Sequence, residues 1–179
     1  ALLNNLNYAR NDSLSSLNTS LVVDLSGNSL NNLKGKISVK NSHYKEGKNS
    51  IIVPEILCHL KRGKNEDELN INSSLFDFNL TGKFDFNTIA QEFTRQFYSV
   101  IPNSSNNYKL SEDQQNKSNS NFNYFLSFRN ANTLLNNFIP GFVVASGTKI
   151  HGKYNSMDSD FELNLDSDML VYKNFSLSS

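Results

Sequence analysis

The sequence predicts a mainly β fold, an antiparallel β-meander forming a curved, taco-like or sandwich sheet with two helices. Three observations lead there: short runs of alternating apolar and polar residues, turn-type clusters between them, and two segments with helical spacing. Alternation places side chains of one kind on one face of a strand. Leu21, Val23 and Leu25 alternate in this way, and Ile37 and Val39 follow after Gly35. Ile56, Cys58 and Leu60 continue the pattern, as do Leu69 and Ile71. In SSLFDFNLTGKFDF the residues Phe76, Phe78, Leu80, Phe84 and Phe86 share one face, while Asp77, Asn79, Thr81, Lys83 and Asp85 share the other. This is a half-buried strand or a pair of them. Phe122, Tyr124, Leu126 and Phe128 alternate next, then Phe161, Leu163 and Leu165, then Leu170 and Tyr172. The turn clusters SGNS, KEGKNS, KRGKNED and NSMDSD separate these runs as a meander requires.

Two segments change period. In NTIAQEFTRQFYSVIP, Ile89, Phe93, Phe97 and Ile101 recur at steps of four, Thr88 and Gln91 form a capping-box pair, and Pro102 stops the run. A helix is predicted from Thr88 to Val100, packed through Ile89, Phe93 and Phe97 against the strand bearing Phe76, Phe78 and Leu80. A shorter helix is predicted near 131–139, where Leu134, Leu135, Phe138 and Ile139 gather before Pro140 and Gly141. Each stripe must bury itself, and one end or opening of the sheet is the place for it.

Residues 103–121 are almost wholly polar and read as a loop. They divide a single β-rich unit, 1–179, into strands plus a helix at 1–102 and a short helix plus strands at 122–179. The chain begins with Ala1 and reads as a piece cut from a longer protein. No stretch approaches the roughly 20 apolar residues that a membrane-spanning helix needs.

Composition excludes several classes of function. Lysine plus arginine equals aspartate plus glutamate at 17 each, so no basic stripe awaits nucleic acid. Asn and Ser make up about 30% of the chain, a usage that suits turns and strand edges. Cys58 is the single cysteine, which rules out an internal disulfide, and its apolar surroundings predict a buried, inert thiol.

A search for catalytic chemistry finds little. His43, His59 and His151 are scattered without metal-binding spacing, and no GxSxG elbow occurs. GTKIHGKY, from Gly147, matches a phosphate-binding loop up to Lys153 but then has Tyr154 where Ser or Thr must reach magnesium. A strand pair with glycine at a bend is the better reading. Asp158 with Asp160, and Asp166 with Asp168, lack the glycine and closing glutamate of a calcium loop and read as turn residues flanking FELNL. We expect no enzymatic activity, cofactor, metal or nucleotide.

Against this background, LLNNFIPGFVVASGTKIHGKYNSMDSDFELNLDSDMLVYKNFSL resembles the TamB-type proteins of the AsmA/TamB superfamily in Bacteroidetes. The likeness lies in a short helix ending in proline (Leu134 to Pro140), a strand (Phe142 to Ser146) and a phrase running from Gly147 to Tyr154. An alternating strand (Phe161 to Leu165) and an apolar strand (Met169 to Lys173) follow. DSLSSLNTSLVVDLSGNSLNNLKGKISVKNSHY and LTGKFDFNTIAQEF are similar to that family's strand-and-turn phrases as well. The resemblance implies a parent anchored in the inner membrane and crossing the periplasm as a curved β-sheet. Its apolar concave side would guide phospholipid acyl chains toward the outer membrane, alongside an outer-membrane barrel-assembly protein. On that basis Leu21, Val23, Leu25, Ile37, Val39, Phe161, Leu163 and Leu165 are the candidate lipid contacts. The two helices depart from an uninterrupted sheet of that kind.

Two other functions fit the pattern. In one, the same faces form a closed core and the chain is a structural or interaction module of the envelope, the outcome that alternation alone favours. In the other, the chain is a secreted β-sandwich adhesin that would display aromatics, with Tyr8, Tyr44 and Tyr154 as candidates.

Overall fold

Alternation over short runs becomes a ladder of antiparallel strands. The computed structural model describes residues 15–46, 49–89, 119–158, 160–172 and 175–178. Within these the strands are β1 (Ser15–Ser26), β2 (Lys34–Glu46), β3 (Asn49–Arg62), β4 (Asp67–Ser73), β5 (Phe76–Lys83) and β6 (Asn121–Phe128). After helix α1 (Asn132–Phe138) come β7 (Phe142–Val144), β8 (Lys149–Asn155), β9 (Asp160–Asp166), β10 (Met169–Tyr172) and β11 (Phe175–Ser178). One eight-stranded sheet runs in the order β1-β2-β3-β4-β5-β6-β8-β9. A three-stranded sheet, β11-β10-β7, takes up the strand that the meander skips. Because β5 pairs directly with β6, the large sheet continues across the polar segment that divides the sequence.

The expected runs land in these strands, with four corrections. The face expected to extend from Phe76 to Phe86 is interrupted, because β5 ends at Lys83. Gly82, at φ 128°, takes a backbone conformation open to glycine, and a Cβ there would lie 2.3 Å from the carbonyl oxygen of Asn121. Beyond it Phe84 and Phe86 leave the strand and pack edge to face, 5.3 Å apart, in the same cluster as Leu60, Leu80, Phe122, Tyr124 and Tyr154. Tyr154, expected as an exposed aromatic, is 2% exposed and lies against Phe122 in that core. Tyr44 is half-buried beside Ile51 and Val53, and Tyr8 lies outside the described residues. Cys58 is half-buried, not enclosed, and the burial it does have pushes its thiol pKa up.

The fourth correction concerns helices. Among the described residues α1 is the one α-helix given whole, Ile89 is helical at the edge of its described stretch, and a 3-10 turn at Leu30–Asn32 was not foreseen from the sequence. In this turn the Asn32 side-chain oxygen accepts from the backbone N–H groups of Asn28 and Ser29, each at 2.9 Å. The expected helix from Thr88 to Val100 falls outside the described residues from residue 90 onward, and Phe93 and Phe97 with it. Ile89, within them, packs against the Leu80 cluster. The short helix appears at Asn132–Phe138. Its Leu134 joins Ile51, Val53 and Leu75, while Leu135 joins Phe128, Ala131 and Val144.

Strict alternation also slips once along β2 and β3. The β1–β2 register shifts at Thr19, where β2 carries one extra residue, Asn41, at φ 51°. Pro54 sits opposite it, between the Lys40↔Glu55 and Ser42↔Val53 pairs. The paired slip keeps Ile51 and Val53 on the same side as Ile56, and all three pack in one cluster.

Candidate functional site

Register fixes which side chains share a face, since residues directly opposite in neighbouring strands point the same way. The pairings trace one row across the large sheet: Val23, Ile37, Cys58, Ile71, Phe78, Leu126, Ile150 and Leu165. Every one of them is apolar. The next row runs Leu25, Gly35, Leu60, Leu69, Leu80, Tyr124, Gly152 and Leu163, and beyond it lie Arg62, Asp67, Gly82, Phe122, Tyr154 and Phe161. Cover is uneven along these rows. At the centre Leu80 is 0% exposed, whereas Val23 at one edge is 53% exposed and Leu165 at the other is 40% exposed.

All eight candidate lipid contacts fall on this one face. Leu21, Val23, Leu25, Ile37 and Val39 sit on β1 and β2, at one edge of the sheet. Phe161, Leu163 and Leu165 sit on β9, at the opposite edge. The register thus gives them a common face without making them neighbours, because five strands lie between the two groups.

The opposite face is laced with charge and also carries the exposed apolar side chains Val22, Ile52 and Leu57. Lys61 pairs with Glu68 at 2.8 Å, Lys40 with Glu55 at 3.3 Å, and Lys153 with Asp160 and Glu162 at 3.4 and 3.5 Å. The Glu68 carboxyl is held below its ordinary pKa chiefly by the hydrogen bond from Lys61, and the Glu162 carboxyl chiefly by that from Asn164. Lys153 is raised by Asp160 first. Such exposed pairs add little stability each but keep this side hydrated. Phe125, 37% exposed on this face, is an aromatic that the alternation did not single out.

A cationic cluster at one end of the apolar face also went unread in the sequence. Arg62 follows Leu60 by two positions on β3, which turns its side chain to the apolar side. Its guanidinium carbon lies 4.8 Å from the Phe84 ring centre and 4.6 Å from that of Phe86. Its Nη1 donates to Asp67 Oδ2 at 3.1 Å and to the Phe84 carbonyl at 3.4 Å. Asp67 Oδ1 in turn accepts from the Gly63 amide at 3.1 Å and from Lys83 Nζ at 3.2 Å. Nε and Nη2 of Arg62 are buried and have no hydrogen-bond acceptor. The signal for this cluster was the parity of Arg62 with Leu60, next to a turn whose charges suggest a solvated loop.

The glycine phrase and the acidic pairs singled out in the sequence lie on and around strands β8 and β9. From Lys149 the stretch after Gly147 is strand β8, so no helix start stands behind a phosphate there. Asp158 accepts from Asn155 in the β8–β9 turn, and Asp166 pairs across to Lys149. Among the described residues no group of three His, Cys, Asp or Glu side chains is placed to hold a metal ion. No helix there is long and apolar enough to cross a membrane. Comparison with known proteins finds no family model, no curated protein and no solved structure that matches this chain.

Proposed function

We propose that the chain offers the apolar face of its large sheet to lipid acyl chains, as one segment of a lipid conduit in the cell envelope. The observation that carries this reading is the uncharged row from Val23 to Leu165, which spans all eight strands and stays open at both ends. An acyl chain laid on such a surface gains about 0.8 kcal/mol for each methylene it buries. The ion pairs of the opposite face, Lys40 with Glu55, Lys61 with Glu68 and Lys153 with Asp160 and Glu162, favour water on that side. The resemblance to TamB-type proteins adds the setting: a periplasmic segment of a parent anchored in the inner membrane, with a barrel-assembly protein of the outer membrane as partner. It is a binding and guiding role without catalysis, cofactor or nucleotide.

A second reading, a structural envelope module with a closed core, is favoured by the tight packing of Leu80, Phe122 and Tyr154 at the sheet centre. One experiment separates the two. Photo-crosslinking residues placed at Val23, Ile37, Leu163 and Leu165 are exposed to phospholipid vesicles, alongside the variants Val23→Asp and Leu163→Asp. A conduit gives lipid adducts, and both variants stay folded while expelling lipid, because a charge beside acyl chains must be desolvated. If both variants unfold and no position crosslinks, the face is core and the conduit reading fails.

A further inference from the structure

We propose that the Nε and Nη2 edge of Arg62 is an anion site, taking a carboxylate or a phosphate oxyanion at the cationic end of the apolar face. These two N–H groups form the fork of a guanidinium, the edge whose parallel donors match two oxygens of one acid group. This same protein shows the fork in use elsewhere. Arg129 directs both Nε and Nη2 at one oxygen of the Asp77 carboxylate, Oδ2, the first at 2.9 Å, so this edge takes an acid group even through a single oxygen. At Arg62 the same edge is buried and has no acceptor.

Charge and rigidity point the same way. Asp67 is the carboxylate of the cluster, and both its oxygens are occupied by Arg62, Lys83 and the Gly63 amide. Two cations share one carboxylate, so one positive charge is left over for a ligand. The Phe84 and Phe86 rings, with the bonds from Nη1, fix the guanidinium plane before any ligand arrives. The 11% exposure of the Arg62 side chain lies elsewhere than on Nε and Nη2, which are closed to solvent, so an anion reaches this edge by displacing the groups that cover it.

The acid group can belong to a free ion or to the head of an amphiphile whose tail lies on the neighbouring apolar rows. In the second case the site deepens the acyl reading and rests on it, whereas the anion site itself does not.

The test uses the full chain, nitrogen-labelled, with inorganic phosphate, acetate and dodecanoate titrated at constant ionic strength against sodium chloride. The readouts are the Arg62 Nε–H resonance and the thermal midpoint. Phosphate and acetate are expected to shift that resonance saturably and to raise the midpoint where chloride does not. Arg62→Lys keeps the charge but loses the fork, and is expected to weaken binding about tenfold or more, while Arg129→Lys leaves it unchanged. Dodecanoate binding about tenfold tighter than acetate identifies a lipid head group as the source. Equal affinity identifies a free anion, and the acyl reading then fails while the anion site stands. An Arg62 resonance that none of the three anions moves overturns the proposal, whether or not Arg62→Lys folds.

Discussion

Tyr124 stands opposite Gly152 in the β6–β8 register, and its hydroxyl reaches past that glycine to donate to the Glu162 carbonyl on β9 at 2.7 Å. The crossing depends on the missing side chain. A Cβ at residue 152 would lie 1.8 Å from the Glu162 carbonyl oxygen and 2.7 Å from the Tyr124 hydroxyl. Gly152→Ala is therefore expected to destabilise the fold by about 1 to 3 kcal/mol, as overpacking does. The urea midpoint measures it, and an unchanged midpoint would show that β9 moves aside freely.

The same tyrosine gives the fold an alkaline limit. Burial, reinforced by the Glu162 charge, pushes the Tyr124 phenol from its ordinary 10.0 up to about 12. Between those values the folded chain holds a proton that the unfolded chain has lost. Its contribution to stability is complete below pH 10 and disappears as pH rises toward about 12. Denaturation of the wild type and Tyr124→Phe across this window should show a steeper alkaline decline in the wild type.

Leu80 is fully buried at the centre of the large sheet and belongs to the cluster that gathers Phe84, Phe122 and Tyr154. Leu80→Ala should cost about 2 to 5 kcal/mol, combining lost burial with the cavity left behind. Calorimetry checks the size of the loss. Val23→Ala, at the exposed edge, should cost far less, and equal losses at both positions would contradict the uneven cover of the face.

Asp67 neutralises two cations from a nearly buried position, with 9% of its side chain exposed. Asp67→Ala leaves Arg62 buried without its carboxylate partner, and about 3 to 5 kcal/mol of stability should be lost. Chemical denaturation reads the loss. A variant as stable as the wild type would mean that water already compensates these charges.

Much of the large sheet was legible because its strands obey period two and bury one side. Leu21, Val23 and Leu25, or Phe161, Leu163 and Leu165, could be assigned to a common face on parity alone. The positions of the two groups were not legible, since which strand sits at an edge depends on pairing order and not on local pattern. Phe84 and Phe86 obeyed the parity of β5 yet left the strand, which ends at Lys83 with no break in the alternation to mark it. Tyr154 looked like a display residue in a polar phrase, but its partner Phe122 comes from a strand 32 residues earlier, while Phe161 faces it across the β8–β9 hairpin. Arg62 was hidden by its own chemistry, for a cation beside a charged turn suggests solvent until the rings that hold it are placed.

Asn41 and Pro54 face each other across the β2–β3 hairpin as one additional residue in each strand. Removing both would leave regular alternation from Val39 to Tyr44 and from Ile56 to Ile51 with every face unchanged. Removing either alone would strand the other as an unmatched bulge. Length at these two positions is therefore coupled within the sheet: a residue leaves either strand without turning a face only when its partner across the hairpin leaves with it.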